Sequence, residues 1–165
     1  MRQSSGYILL SILFVLLQTT LARYLAIENI APDLLLIWVV YLALREGQSV
    51  ATTAGFILGL LFDLISGKDG MLGLAALSKT VAGFAAGYFY NENKISQILG
   101  GYQFILVVAF ASIVHNVLYF IIFLQGTEAG WVDAVVLYGF PTTVYTTALA
   151  LMPMFVFSRR SSQLT

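Results

Sequence analysis

Long apolar runs separated by short polar breaks are the feature of this chain that most constrains its fold. A helix needs roughly 20 apolar residues to cross the ~30 Å hydrocarbon core of a bilayer, and several runs approach that length. The breaks between them, such as REGQ and NENKISQ, leave no room for a soluble domain. Only 10% of the residues are charged and 59% are hydrophobic, which is too little charge for a soluble surface. The pattern predicts an all-α integral membrane protein.

Six such runs predict a single transmembrane domain, residues 1–165, folded as a six-transmembrane-helix bundle. The first run lacks a clear small-x-small cleavage site, so we expect it to be retained as a span. The predicted spans cover about residues 6–26, 32–45, 49–66, 71–90, 98–124 and 133–157.

The second predicted span is unusually short. As a helix, Pro32 to Arg45 reaches only about 21 Å at ~1.5 Å per residue, against the ~30 Å of the hydrocarbon core. One of its ends must therefore lie below the membrane surface, where non-helical backbone is tolerated only inside protein or beside a wet cavity. We expect the second and third spans to form a short hairpin wrapped by the others, rather than a lipid-facing pair.

Basic residues predict the orientation of the bundle, because cytoplasmic loops carry an excess of Lys and Arg. If the N-terminus lies in the cytoplasm, most basic residues fall at the inner, cytoplasmic ends of the spans and the acidic residues fall at the outer ends. We therefore predict that both termini are cytoplasmic. The inner set is Arg2, Arg45, Lys94, Arg159 and Arg160, and the outer set is Arg23, Lys68, Glu28, Asp69, Glu128 and Asp133.

The inventory of reactive residues argues against catalysis. The chain has no cysteine and a single histidine, His115, so we expect neither a thiolate nucleophile nor a multi-histidine metal site. No nucleophile elbow, phosphate-binding loop or dinucleotide fingerprint is present. The net charge is +0 and no basic run occurs, which argues against nucleic-acid binding. We predict a non-enzymatic protein without metal or cofactor.

Polar residues from the predicted spans gather in the outer half of the bilayer. One interpretation is an outward-facing pocket that holds a ligand or a segment of a partner. The other is helix–helix adhesion, in which hydroxyls and amides bond across the bundle at about 0.6 kcal/mol each. Both interpretations stay open at this point. The candidate residues are Gln18, Thr19, Thr20, Asp33, His115, Asn116, Thr142, Thr143 and Thr146.

Two charges, Asp63 and Lys79, lie inside the third and fourth predicted spans. A charge near the bilayer centre costs ~2.5–3.5 kcal/mol on insertion scales. The two spans are joined only by GKDG, so they run antiparallel and adjacent. We therefore expect Asp63 and Lys79 to form an ion pair facing the bundle interior. Each span also carries a GxxxG stripe that predicts close helix packing, namely Gly55 with Gly59 and Gly83 with Gly87.

Two segments, Pro32–Gly47 and Gly55–Leu77, resemble the MreD family of bacterial rod shape-determining proteins. The family pattern has a PDLLL-type opening to its second span, an R-x-G turn, and a glycine-rich block containing D-x-x-S-G. In this chain the glycine that follows Ser66-Gly67 comes a little later than in the family pattern. The block reads Gly55, Gly59, Asp63, Ser66, Gly67, Gly73 and Ala76-Leu77.

The resemblance implies a non-enzymatic scaffold subunit of the cell-elongation (Rod) complex in the bacterial inner membrane, with a role in regulating peptidoglycan synthesis. It implies direct binding of an MreC-like protein, and association through the complex with a RodA-type glycan polymerase, a class B penicillin-binding protein and, indirectly, the MreB cytoskeleton. Trp131, in an outer loop, is a candidate partner contact, and membrane lipids surround the bundle. The family is also similar in fold to the S components of energy-coupling-factor transporters. The alternative is accordingly a true S component that binds a vitamin in the outer pocket.

Overall fold

The structure is a computed structural model that describes residues 2–28, 30–66, 71–125, 128 and 130–155. Regular secondary structure within these ranges is entirely helical. Lys68, Asp69, Arg159 and Arg160, which entered the predicted orientation, lie outside them, as do both chain ends. The helices are α1 (Arg2–Thr19), α2 (Leu21–Tyr24), α3 (Leu34–Glu46), α4 (Gln48–Ser66), α5 (Leu74–Gly87), α6 (Ile95–Leu99), α7 (Tyr102–Phe123), α8 (Trp131–Ala134) and α9 (Phe140–Leu149), with a 3₁₀ turn at Glu92–Lys94 and a π-helical turn at Val135–Gly139.

Within the described residues, four helical segments are long and apolar enough to cross a membrane. They are Gly6–Tyr24, Gln48–Ser66, Tyr102–Phe123 and Trp131–Phe155, where the last joins α8, the π turn and α9. The other two predicted spans correspond to α3 and α5, which have 13 and 14 residues. At ~1.5 Å per residue each reaches only about 20 Å. The helical fold is confirmed, whereas the count of six spans stays a prediction.

The short helix α3 lies at the centre of the bundle. Every residue from Leu35 to Leu44 is buried, including Trp38, whose ring stacks on those of Phe14 and Tyr41 at 5.1 Å each. A helix that is apolar on all sides is stable only when other helices surround it. The expectation that this span is wrapped by the others is correct for α3.

The same expectation is wrong for α4. One face of α4 exposes large apolar side chains, because the sequence carries more bulky apolar residues there than its partner helices can cover. Such a face suits lipid, which solvates apolar side chains as well as a protein interior does. The exposed side chains are Val50, Phe56, Ile57, Leu61, Leu64 and Ile65.

The glycine stripes bring α4 and α5 into backbone contact. A Cβ atom added at Gly55 would lie 2.5 Å from the backbone oxygen of Lys79, and one at Gly59 would lie 2.5 Å from the Cα of Ala76. In the other stripe, a Cβ at Gly83 would lie 2.8 Å from the backbone oxygen of Ala51. A Cβ at Gly87 would come 2.5 Å from the Cα of Gln48. Only glycine permits this approach, so the predicted close packing of the two helices agrees with the structure.

Candidate functional site

The N-terminus of α3 is buried, and Asp33 caps it. Oδ1 of Asp33 accepts a hydrogen bond from the backbone N–H of Leu36 at 2.9 Å, which satisfies one of the free donors at the start of the helix. The backbone N–H of Asp33 donates to Oγ1 of Thr146 in α9, also at 2.9 Å. Asp33 and Thr146 are both buried. The backbone at this end of α3 is thus satisfied by protein groups, which one end of so short a span requires.

Gln18 of α1 completes the capping from another direction. Its Oε1 accepts from the backbone N–H of Leu34 at 2.7 Å, and its Nε2 donates to the carbonyl of Pro32 at 3.2 Å. A side-chain amide offers both a donor and an acceptor, so one residue satisfies both sides of the turn. The non-helical turn before α3 is therefore held by side chains from α1 and α9.

Lys79 of α5 and His115 of α7 converge on the other oxygen of Asp33. The Nζ of Lys79 donates to Oδ2 of Asp33 in a buried ion pair. The Nε2 of His115 lies 3.4 Å from the same oxygen, and Nδ1 of His115 is buried without a hydrogen-bond partner among the described residues. The three side chains join α3, α5 and α7 at one point.

The predicted Asp63–Lys79 pair is wrong. The carboxylate of Asp63 instead accepts hydrogen bonds from three backbone N–H groups at the start of α5. The donors are Gly73 at 3.0 Å, Ala75 at 3.2 Å and Ala76 at 3.1 Å. The first N–H groups of a helix have no partner within the helix, and the positive end of the helix dipole attracts a carboxylate. Asp63 is therefore stabilised by the beginning of its neighbouring helix, which leaves Lys79 free to pair with Asp33.

A second polar cluster joins α7 to the last membrane helix. Nδ2 of Asn116 donates to Oγ1 of Thr143 at 3.1 Å and to the carbonyl of Gly139 at 3.2 Å. The Ser112 hydroxyl donates to Oγ1 of Thr143 at 3.2 Å. Gly139 ends the π-helical turn, and its carbonyl also accepts a hydrogen bond from the Thr143 hydroxyl at 2.9 Å. For Asn116 and Thr143 the contacts match the adhesion interpretation.

A cleft of about 490 Å³ opens beside Asp33, at the end of the bundle where α3 begins, α4 ends and α5 begins. We call this the Asp33 end and the cavity the Asp33 cleft. Its polar lining is Gln18, Asp33, Lys79, His115, Asn116 and Thr142, and its aromatic lining is Phe62, Tyr119, Phe120, Phe123 and Tyr138, with Ala31, Pro32 and Ala75 between them. The volume lies within the ~300–1,000 Å³ of typical small-ligand sites.

The remaining candidate residues do not line the cleft. The hydroxyls of Thr19 and Thr20 bond to carbonyls of their own helix, at Val15 and Leu16. Thr143 and Thr146 are buried in the contacts described above. Trp131 is about half exposed at the start of α8. The structure thus brings five of the ten candidate residues into one cleft, together with Lys79, and leaves these five outside it.

The Asp33 cleft can hold a group by shape and hydrogen bonding. Lys79 and Asp33 compensate each other's charge, so the lining offers neither a free cation nor a free carboxylate. Among the described residues, no group of three or more His, Cys, Asp and Glu side chains is placed to hold a metal ion.

These features define an all-helical membrane protein with a central short helix and a polar cleft at one end. A family model described as rod shape-determining protein MreD matches residues 2–160. The chain therefore belongs to the MreD family, a family of shape-determining membrane proteins that is part of the MreBCD system and is not known for enzymatic activity. No curated protein and no solved structure matches the chain.

Proposed function

We propose that this protein is a non-enzymatic scaffold subunit of the bacterial elongation complex, which binds an MreC-like protein directly. Membership of the MreD family carries the proposal. Through that partner it would associate with a RodA-type polymerase, a class B penicillin-binding protein and the MreB cytoskeleton, and so influence peptidoglycan synthesis. It would lie in the inner membrane as a multi-pass protein with both termini in the cytoplasm.

The partner's membrane segment would bind at the Asp33 end, which would face the periplasm. Two observations favour this end. The Asp33 cleft, with its polar lining, opens there, and Trp131 at the start of α8 is about half exposed. A large aromatic side chain with one polar atom is a frequent anchor in protein interfaces.

Site-specific photo-crosslinking in living cells tests this placement. Crosslinkers at Thr20 and Trp131 should capture the MreC-like protein, identified by mass spectrometry. A crosslinker at Tyr90 serves as the control, because Tyr90 follows α5 at the opposite end of the bundle, where it lies beside Gly47. Capture from Tyr90 alone would contradict the placement.

The absence of catalysis is tested through His115, whose imidazole is the only one in the chain. We expect His115→Ala to reduce cell elongation only as far as it reduces the amount of assembled complex. Loss of elongation with full assembly would require a proton-transfer or chemical step and would overturn the scaffold role.

The volume of the Asp33 cleft also supports the second candidate, an S component that binds a vitamin. The two candidates differ in what purifies with the protein. Extraction of the purified protein, followed by mass spectrometry of small molecules, should yield no stoichiometric vitamin if the scaffold proposal is right. A vitamin at one molecule per chain would favour the S component.

A further inference from the structure

We infer that the Asp33 cleft receives an uncharged side chain with a hydrogen-bond acceptor from the partner's membrane segment, and that it selects against charged side chains. This inference rests on the proposed function, because it names the chemistry by which the partner is recognised. Three properties of the lining carry it: its charge balance, its unused donors and its aromatic surface.

The charge balance excludes a charged occupant. The ammonium of Lys79 and the carboxylate of Asp33 are buried and paired with each other. A charged group that entered the cleft would find no free counter-ion and would have to compete for one member of this pair. Separating a buried pair leaves an uncompensated charge and costs on the order of 3–5 kcal/mol. A neutral side chain avoids that cost.

The lining still has hydrogen-bonding capacity for a neutral group. An ammonium has three N–H donors, and Asp33 is the one acceptor that bonds Lys79 among the described residues. The hydroxyl of Thr142, which is partly exposed in the cleft, makes no hydrogen bond within the described part of the chain. An occupant with an acceptor atom would bond these donors, and hydrogen bonds between helices contribute about 0.6 kcal/mol each on average.

The aromatic lining favours a side chain with an apolar or aromatic body. Phe123 stacks on Tyr119 at a ring-centroid distance of 5.7 Å, and Tyr119 meets the ring of His115 at 6.0 Å. Offset and edge-on contacts with such rings contribute ~0.5–1.5 kcal/mol beyond the area they bury. Tyr, Asn, Gln, Ser and Thr side chains meet the charge and hydrogen-bond requirements, and Tyr meets all three.

A polypeptide segment fits this end of the bundle better than a free small molecule. Apolar side chains at the same end of the bundle lie on the surface, including Ile27 before α3, Leu72 before α5 and Val132 in α8, which are 65%, 70% and 52% exposed. A helix that placed one side chain in the cleft would cover such neighbours with its others. A vitamin-sized ligand would leave them to lipid or solvent.

Photo-crosslinkers on two faces of the last membrane helix test the inference. Thr142 and Tyr138 line the cleft, whereas Val144 points away from it and is 53% exposed. Crosslinkers at Thr142 and Tyr138 should capture the MreC-like protein at an uncharged polar or aromatic residue of its membrane segment. A crosslinker at Val144 should not capture that residue. Two cleft positions are used because either variant alone can fail to fold.

Crosslinking from Trp131 in the same membranes distinguishes failure of the cleft inference from failure of the scaffold proposal. If Trp131 captures the partner and neither cleft position does, the inference is overturned and the scaffold proposal stands. It is also overturned if the captured residue is charged, if Val144 captures the same residue, or if the cleft positions capture a small molecule or lipid instead. If Tyr90 alone captures the partner, the placement and the inference fail while the scaffold proposal stands. If Trp131, Thr20 and Tyr90 all fail to capture the partner, the proposed function itself fails.

Discussion

Lys79 and Asp33, 46 positions apart in the chain, form a buried ion pair. The pair fastens α5 to the start of α3, the buried helix at the centre of the bundle. Asp33 also caps α3 through its second oxygen. One oxygen of the carboxylate therefore stabilises the start of α3, and the other binds Lys79 of α5. Asp33, which the sequence marked as one of several candidate polar residues, is therefore the centre of the polar site.

The glycine contacts predict a strong asymmetry between two glycine-to-alanine variants. At Gly59 a Cβ would lie 2.5–2.6 Å from backbone atoms of Ala75 and Ala76, so the two helices would have to move apart. We expect Gly59→Ala to lower the free energy of unfolding by about 1–3 kcal/mol, as overpacking does. The measurement is unfolding in detergent, followed by circular dichroism.

Gly6→Ala is the matched control, because nothing lies within 4 Å of a Cβ at Gly6. Alanine in a helix is up to ~1 kcal/mol more favourable than glycine, so this variant should be neutral or slightly more stable. Equal stability of Gly59→Ala and the wild type would show that α4 and α5 are not in backbone contact.

Removing the Asp63 carboxylate should loosen the start of α5. In Asp63→Ala the N–H groups of Gly73, Ala75 and Ala76 lose their acceptor. Loss of a helix cap costs about 0.5–2 kcal/mol, and we expect hydrogen exchange at these amides to accelerate accordingly. Asp63→Asn, which keeps one acceptor oxygen, should show a smaller change. Exchange that is unchanged in Asp63→Ala would contradict the capping role.

Several features of this fold could be predicted from the sequence because they depend on local composition. The glycine spacing predicted the close pair of helices, and the length of the run after Pro32 predicted a buried helix end. The accumulation of polar residues predicted that one end carries either a pocket or polar helix–helix contacts, without deciding between them. Each of these patterns follows from helix periodicity and from the cost of polar groups in lipid.

The pairing of the charges could not be predicted in the same way. Asp63 and Lys79 are close in sequence on adjacent helices, which made them the obvious partners. Two helix N-termini decide the pairing instead. The N-terminus of α5 binds the carboxylate of Asp63, and the N-terminus of α3 places Asp33 beside Lys79. One signal was available: an Asp directly before an apolar helix is a strong N-cap residue, and the sequence PDLLL has that form.

Gln18 should be more important for stability than its neighbour Thr19. Gln18→Leu would leave the N–H of Leu34 and the carbonyl of Pro32 unpaired, at about 1–3 kcal/mol for each buried group. The Thr19 hydroxyl only bonds its own helix, so Thr19→Val should change the unfolding free energy by less than ~0.5 kcal/mol. Thermal unfolding of both variants measures the difference. Similar losses in the two would contradict the role given to Gln18.

The proposed orientation predicts which side of the membrane reaches Asn93. The chain has no cysteine, so a single Cys at this exposed position reports accessibility without background. We expect a membrane-impermeant thiol reagent to label Asn93→Cys only after the cells are opened. Tyr24→Cys, on a side chain exposed near the Asp33 end, should be labelled in intact cells. The reverse pattern would invert the topology.

A double-mutant cycle on Asp33 and Lys79 tests the central claim most directly, namely that this pair holds the polar site together. Asp33→Asn keeps a capping oxygen for α3 but leaves the Lys79 ammonium unpaired, and Lys79→Met leaves the carboxylate unpaired. Each single variant should lose on the order of 3–5 kcal/mol of unfolding free energy. The double variant should lose much less than the sum, and Lys79→Met should not rescue Asp63→Asn. Losses that simply add for Asp33 and Lys79, or rescue of Asp63→Asn by Lys79→Met, would contradict the account.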